Sequence, residues 1–186
     1  RAYVKDGLKL YMPYRGDNTT KGTQFVGTGS TSFDGSSNYI SVANDSSLDV
    51  DSDITLSAWC KADTLINYVG IMSRDGYYLR REDSGKFRCY LFGADAQIDS
   101  TTVFVAGIWY HVAVTYDGAS AKMYVDGVLE STVSMSGDIT DGGNLFIGKY
   151  SSYEWDGNIK NAAVWSRALT ATEVQNVMYK TYDEVG

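Results

Sequence analysis

The sequence predicts an all-β domain of two packed antiparallel sheets, closed by one short C-terminal helix. Three observations carry that prediction. Asp-Gly pairs recur at 6-7, 34-35, 75-76, 117-118, 126-127, 141-142 and 156-157, and this dipeptide suits tight turns that need positive φ. Between the turns lie short stretches rich in β-branched and aromatic residues, with a single proline in the whole chain, the pattern of many short strands. Finally, Trp109-Tyr-His-Val-Ala-Val-Thr-Tyr116 alternates with period two. His111, Ala113 and Thr115 share one face, and Tyr110, Val112, Val114 and Tyr116 the other. A strand this apolar on both faces is expected to be covered on both sides, as in a sandwich.

Taken in order, the strand-like stretches are Ser32-Phe33, Tyr39 to Val42, Ile54 to Lys61, Tyr77 to Arg80, Lys86 to Phe92, Trp109 to Tyr116, Ala121 to Val125, Asn144 to Gly148 and Asn158 to Trp165. The clearest hairpin joins 109–116 to 121–125 through Asp117-Gly118-Ala119-Ser120. Ser46 to Asp53 reads as an acidic loop leading into Ile54. One helix is expected, because Thr170-Ala-Thr-Glu173 spells a capping box and Val174, Val177 and Met178 then fall on one side. There is no linker or internal repeat, so residues 1–186 form one domain.

Composition narrows the function classes. A chain of 186 residues buries roughly 70% of its unfolded surface, so neither disulfides nor a structural metal are needed to supply a core. The formal charge is −7 and the basic residues are scattered, which argues against nucleic acid or an anionic membrane as partner. Apolar runs are far shorter than the ~20 residues of a membrane span, so no membrane insertion is expected. Cys60 and Cys89 lie in apolar, strand-like context and read first as buried free thiols, second as a disulfide. With one histidine and no Cys/His cluster, zinc is set aside. The chain opens on Arg1-Ala2-Tyr3-Val4-Lys5-Asp6 without Met or an apolar leader, and a processed or excised piece is expected.

The punctuated strands resemble the laminin G-like, concanavalin A-like lectin and glucanase jelly rolls, which are akin to pentraxins. The resemblance rests on ordered segments: Gly7 to Tyr14, Ser32-Phe33-Asp34-Gly35 with Tyr39-Ile40-Ser41-Val42, Ser46-Ser47-Leu48 with Ile54 to Trp59, Gly107 to Gly118, Tyr124 to Gly127, Gly157-Asn158-Ile159, and Arg167 to Val174. It implies a two-sheet antiparallel jelly-roll sandwich with a concave face and a rim of loops. It also implies core roles for Trp59, Trp109 and Trp165, which sit in the family's strand motifs. Where the family usually has an aspartate tied to a structural calcium, this chain has Lys160. An ammonium cannot ligate calcium, and it could instead form a charge pair with a nearby acid such as Asp34.

Catalysis finds little support. The Glu-x-Asp-x-x-Glu of laminarinase-type relatives is absent, and Glu154-Trp155-Asp156 only approximates it. His111 has no adjacent Ser, Cys or acid, and no Gly-x-Ser-x-Gly or phosphate loop occurs. A non-catalytic binding module fits better, because 15 tyrosines and 4 tryptophans offer flat rings for the apolar face of a sugar. Two segments carry rings beside hydrogen-bonding groups and are expected to reach one rim. The ligand-binding candidates on them are Tyr68, Arg74, Asp75 and Tyr77, and Tyr150, Tyr153, Glu154 and Trp155. The expected partner is a glycan or polysaccharide. The alternative is a structural or assembly module, a surface or virion decoration domain that binds neighbouring protein subunits. Either role belongs outside the cell, on a cell surface or on a virion. No cofactor is required, although Asp49, Asp51 and Asp53 with Asn44-Asp45 could hold Ca2+ on the rim. Arg15-Gly16-Asp17 spells an integrin-type tripeptide but reads as ordinary turn chemistry.

Overall fold

Alternating burial builds two sheets whose apolar faces meet. The computed structural model describes residues 5–12, 24–26, 29–94, 96–139 and 142–179. In chain order the strands are β1 (Leu8–Met12), β2 (Gln24–Val26), β3 (Ser30–Asp34), β4 (Ile40–Val42), β5 (Asp53–Ala62), β6 (Gly70–Arg74), β7 (Tyr77–Arg81), β8 (Lys86–Leu91), β9 (Ala96–Val103), β10 (Tyr110–Asp117), β11 (Ser120–Val125), β12 (Val128–Ser134), β13 (Leu145–Ile147), β14 (Lys149–Tyr150), β15 (Tyr153–Glu154) and β16 (Asp156–Trp165), followed by helix α1 (Ala171–Tyr179). One sheet runs β12-β11-β10-β5-β16-β3-β2 with β1 also on β16, and the other runs β4-β13-β6-β7-β8-β9. All pairings are antiparallel. The predicted all-β sandwich with one C-terminal helix is what forms.

The core between the sheets takes one parity of β5, β7, β8 and β10. It holds Ile54, Leu56, Ala58 and Cys60 from β5, Tyr110, Val112, Val114 and Tyr116 from β10, and Tyr77, Leu79, Phe87, Cys89 and Leu91 from β7 and β8. Both cysteines are free and buried, and burial pushes both thiols up. On β16 the inward parity changes at a bulge between Lys160 and Ala163, where Asn161 takes φ +51. Ile159 points in before it, Ala162 and Val164 after it, so Lys160 falls on the outside.

The outer face of the larger sheet is covered as well, as the two-sided alternation of β10 predicted. Ala113, Tyr124, Trp165, Leu169, Val174 and Val177 form a second apolar cluster under α1. The capping box closes reciprocally, Thr170 N–H donating to Glu173 Oε2 at 2.8 Å and Glu173 N–H to Thr170 Oγ1 at 3.3 Å. Arg167 Nη2 lies 2.7 Å from Glu173 Oε1. Two of the three expected core tryptophans lie elsewhere: Trp165 is buried, but Trp59 and Trp109 are half-buried on the outer face. The reason is parity, since Trp59 alternates with Ala58 and Cys60 and so points away from the core. Trp59 Nε1 donates to the Met178 carbonyl at 3.1 Å, and Lys160 Nζ sits 4.7 Å from the Trp109 ring and 5.4 Å from that of Trp59. The Lys160–Asp34 pair does not form. Asp34 instead accepts backbone N–H groups from Ser37, Ser36 and Asn38, chiefly Ser37, which hold its carboxyl far below the usual range.

The Arg167 bond, then the Thr170 bonds, hold the Glu173 carboxyl down at about 2 against an ordinary 4.5. Native protein therefore releases this proton more readily than unfolded chain, and the stability it contributes is full above 4.5 and lost as pH falls towards 2. We expect Glu173→Gln to destabilise the protein at neutral pH, and its deficit relative to wild type to vanish in urea titrations near pH 2.

Along one side, side chains of β12 join the two sheets. Glu130 on β12 accepts the Thr101 N–H at 2.8 Å and the Thr102 N–H at 3.0 Å, together with the Thr102 hydroxyl. Ser131 Oγ adds a bond to the Asp99 carbonyl at 2.6 Å. β9 is the end strand of its sheet, and this seam occupies part of its otherwise unpaired edge.

Candidate ligand-binding site

The outward parity of β7 and β8 carries Tyr78, Arg80, Arg88 and Tyr90, because Tyr77, Leu79, Phe87, Cys89 and Leu91 take the inward one. The register sets Tyr78 opposite Tyr90 and Arg80 opposite Arg88. The two tyrosine rings stack with centroids 5.8 Å apart and planes 15° from parallel. Two guanidinium groups face to face would repel, and Glu82, 2% exposed, resolves this by taking Arg80 Nε on one oxygen and Arg88 Nη1 at 3.3 Å on the other. Asp99, directly across on β9, grips Arg88 with bonds of 2.6 and 2.7 Å.

Next to these strands the β14–β15 hairpin lies down on β6. Ser73 Oγ donates to the Lys149 carbonyl at 2.7 Å, and Gly70 permits the approach, since a Cβ there would overlap the Lys149–Tyr150 backbone. Tyr150 then meets Tyr78 at 4.5 Å. The Arg80 guanidinium packs among three rings, 4.3 Å from Tyr78, 4.7 Å from Tyr150 and 5.2 Å from Tyr68. Tyr68 touches Tyr153 at 5.8 Å and donates from its hydroxyl to Asp83 at 2.8 Å. Its backbone is held at φ +63, a conformation a bulky side chain adopts only under strain. Phe92 extends the row from Tyr90 at 4.8 Å. Burial pushes the Tyr78 hydroxyl up to about 12, so it stays a neutral donor. Beside the row a cavity of about 300 Å³ is lined by Ser73, Arg74, Asp75, Phe92, Phe146, Tyr150 and Ser151.

The two expected segments do reach one place, although not with every residue expected. Tyr68 and Tyr150 pack on Arg80, Tyr153 meets the Tyr68 ring, and Asp75 is exposed at the cavity. Arg74 also lines the cavity, but its guanidinium is fully enclosed. It donates to the carbonyls of Leu48 and Gly143, to Asn44 Oδ1 and to Asp49 Oδ1. Glu154 pairs with Lys149 at 3.4 Å across the hairpin. Tyr77 and Trp155 are core residues, each 0% exposed, and neither can stack on a ligand. Trp155 leaves the rim because its N–H closes onto the Gly148 carbonyl and its indole turns inward, donating to the Lys61 carbonyl at 3.3 Å. Arg80, Arg88, Tyr90 and Phe92 lie outside the two expected segments, and Tyr78, within the first segment, joins them on the face. The alternation Phe87-Arg88-Cys89-Tyr90-Leu91 was the available signal, since it marks Arg88 and Tyr90 as the outward pair.

His111 makes a 2.8 Å bond through Nε2 to Ser57 Oγ, but both residues are buried, His111 at 1% exposure. Burial lowers its pKa to about 3, so this pair is a neutral part of the interior beyond substrate's reach. Among the described residues, no group of three or more His, Cys, Asp or Glu is gathered to hold a metal ion. Of the acidic loop, Asp49 is engaged by Arg74. Arg15-Gly16-Asp17 lies outside the described residues. No helix is long and apolar enough to cross a membrane among them.

The laminin G-like family 3 of the concanavalin A-like lectin/glucanases superfamily matches residues 34–175. Among solved structures, the binding domain of Paraclostridial Mosquitocidal Protein 1 is similar, with TM-score 0.78 and 16% identity over 92% of this chain and 51% of that one. Domain 4 of AbnA, a GH43 extracellular arabinanase from Geobacillus stearothermophilus solved with arabinotriose, has TM-score 0.67 and 16% identity over 90% and 86%. The SAP-like pentraxin of Limulus polyphemus has TM-score 0.57 and 18% identity, with 80% of each chain covered. The chain thus spans about half the length of the mosquitocidal binding domain. At these identities the likeness is one of fold. Among curated proteins no sequence match is found.

Proposed function

Because the chain belongs to the concanavalin A-like lectin/glucanases superfamily, we propose that it is a non-catalytic binding module, and that the tyrosine row on β7, β8 and the β14–β15 hairpin holds a saccharide. The observation that carries this reading is the row itself, which places rings of graded exposure beside hydroxyl, carboxylate and guanidinium groups and a cavity of about 300 Å³. That volume is near the lower end for small-molecule sites. Tyr153, 44% exposed, offers a ring face to the C–H side of a sugar. Asp75 and the tyrosine hydroxyls bond its edge. Arabinotriose in the AbnA domain and that enzyme's extracellular setting support both the ligand class and a place outside the cell. Nothing in the proposed contact requires calcium, and binding is expected to be unchanged by chelator.

Tyr153→Ala is the direct test. Losing roughly 60 Å² of covered apolar surface at about 25 cal/mol per Å² weakens binding about tenfold, while the melting temperature stays within about 1 °C. Tyr68→Gly adds a second check, since it removes a ring and relieves positive-φ strain together. Unchanged glycan affinity in both folded variants would sink the reading.

A protein-binding role has its own observation. Leu65, Val103, Val105 and Ile108, between 49% and 56% exposed, lie on the loop after β5, at the end of β9 and on the loop that follows it, tied by the Gly107 N–H to Ala62 carbonyl bond. An apolar loop end of this kind fits a neighbouring subunit. Concentration-dependent mass in light scattering, lost in Val105→Lys, would support it.

A further inference from the structure

The charges on this face restrict what kind of saccharide it can take, an inference that rests on the glycan reading above. Every cation against the rings or the cavity already has a carboxylate partner. Arg80 bonds Glu82, Arg88 bonds Glu82 and Asp99, Lys149 bonds Glu154 and also lies 4.0 Å from the Tyr39 ring, and Arg74 bonds Asp49 and three neutral oxygens. Arg81 is turned under the adjoining loop, donating to the Ile66 carbonyl and to Asn67. Lys86 shares the parity of Arg88 but stands beyond it, at the far end of β8 from Tyr90.

The carboxylates, in contrast, outnumber the cations. Asp75 is exposed at the cavity, and Asp83 accepts the Tyr68 hydroxyl while its charge reaches the enclosed Arg81. An anionic ligand would have to displace a carboxylate from a guanidinium already gripped on two sides. It would also come close to Asp75 and Asp83 without gaining a counter-ion. Like charge at such range costs far more than a rim contact returns. An uncharged sugar meets none of these penalties, and pre-paired Arg80 and Arg88 still present N–H groups in fixed positions.

We propose that this face binds uncharged saccharides and rejects those carrying carboxylate or sulfate. The test uses the whole chain in calorimetric titrations against neutral arabino-, xylo- and gluco-oligosaccharides, and against uronate-bearing and sulfated chains of matching length. A neutral ligand is expected to bind with an affinity that changes less than about twofold between low salt and about 0.5 M salt. The anionic chains should bind at least about tenfold more weakly, and Asp75→Asn should narrow that gap. Preferential, salt-sensitive binding of an anionic chain would overturn the charge inference and leave a glycan module standing. Failure of the folded protein to bind any saccharide would remove the glycan reading and this inference with it.

Discussion

Trp155→Ala is expected to lower the stability of the domain by about 3–5 kcal/mol, the usual cost of emptying a buried aromatic site. In a chain of this length that appears as a fall of about 10 °C in melting temperature. The indole is 0% exposed, packs edge-on against Phe104 with centroids 5.8 Å apart, and is the donor to the Lys61 carbonyl. Its loss leaves a cavity and an unpaired acceptor in one step. Glycan affinity measured well below the midpoint should stay within about twofold, because the side chain contributes nothing to the outer face. A variant that kept its melting temperature but lost binding would return Trp155 to the ligand.

Arg74→Met is expected to cost about 3 kcal/mol. Methionine keeps the apolar stem but removes a guanidinium that donates to oxygen partners in the 44–49 loop and on Gly143. Two of those partners are backbone carbonyls, of Leu48 and Gly143, and each buried acceptor left bare carries a desolvation penalty. Arg74→Lys should recover little, since a point ammonium cannot span the fork. Denaturant midpoints give the answer, with the slope unchanged if only the native state is affected. A loss under about 1 kcal/mol would mean that the loops are held together by something else.

These two residues also show what the sequence does and does not disclose. Each is expected at the ligand from its place in a segment of rings and hydrogen-bonding groups such as Asp75, Tyr153 and Glu154. Composition does reveal that rings and hydrogen-bonding groups cluster in 67–78 and 148–157. Which of them point outward depends on strand parity and on where a hairpin closes, and both are settled by tertiary pairing. Tyr77 and Tyr78 cannot be told apart until β7 is registered against β8, whose own alternation is clean. The tryptophans err in the opposite sense: motif position suggested core for Trp59 and Trp109, while the parity of β5 and the start of β10 leaves them outside.

The fold was more legible, because turn chemistry and two-sided alternation are local. The 109–116 strand, its hairpin and the capping box of α1 all form as read. Strands β2, β14 and β15 are too short to show a pattern, and β6, β9 and β12 are also absent from the expected strands. β6 is buried along its whole length and shows no alternation, and β9 is largely polar. β12 is an edge with exposed Val128 and Leu129. Each owes its extended form to a neighbour more than to its own sequence.

The Glu130 seam has a consequence in the time domain. Amide protons along the outer edge of an end strand ordinarily exchange with solvent on the fast timescale of local fraying. Those of Thr101 and Thr102 are instead bound to a side chain rooted in the opposite sheet, so they exchange only when that carboxylate lets go. In deuterium these two amides should therefore exchange more slowly than unbonded amides of the same edge. Glu130→Ala should release them to the fast class without altering the exchange of β10.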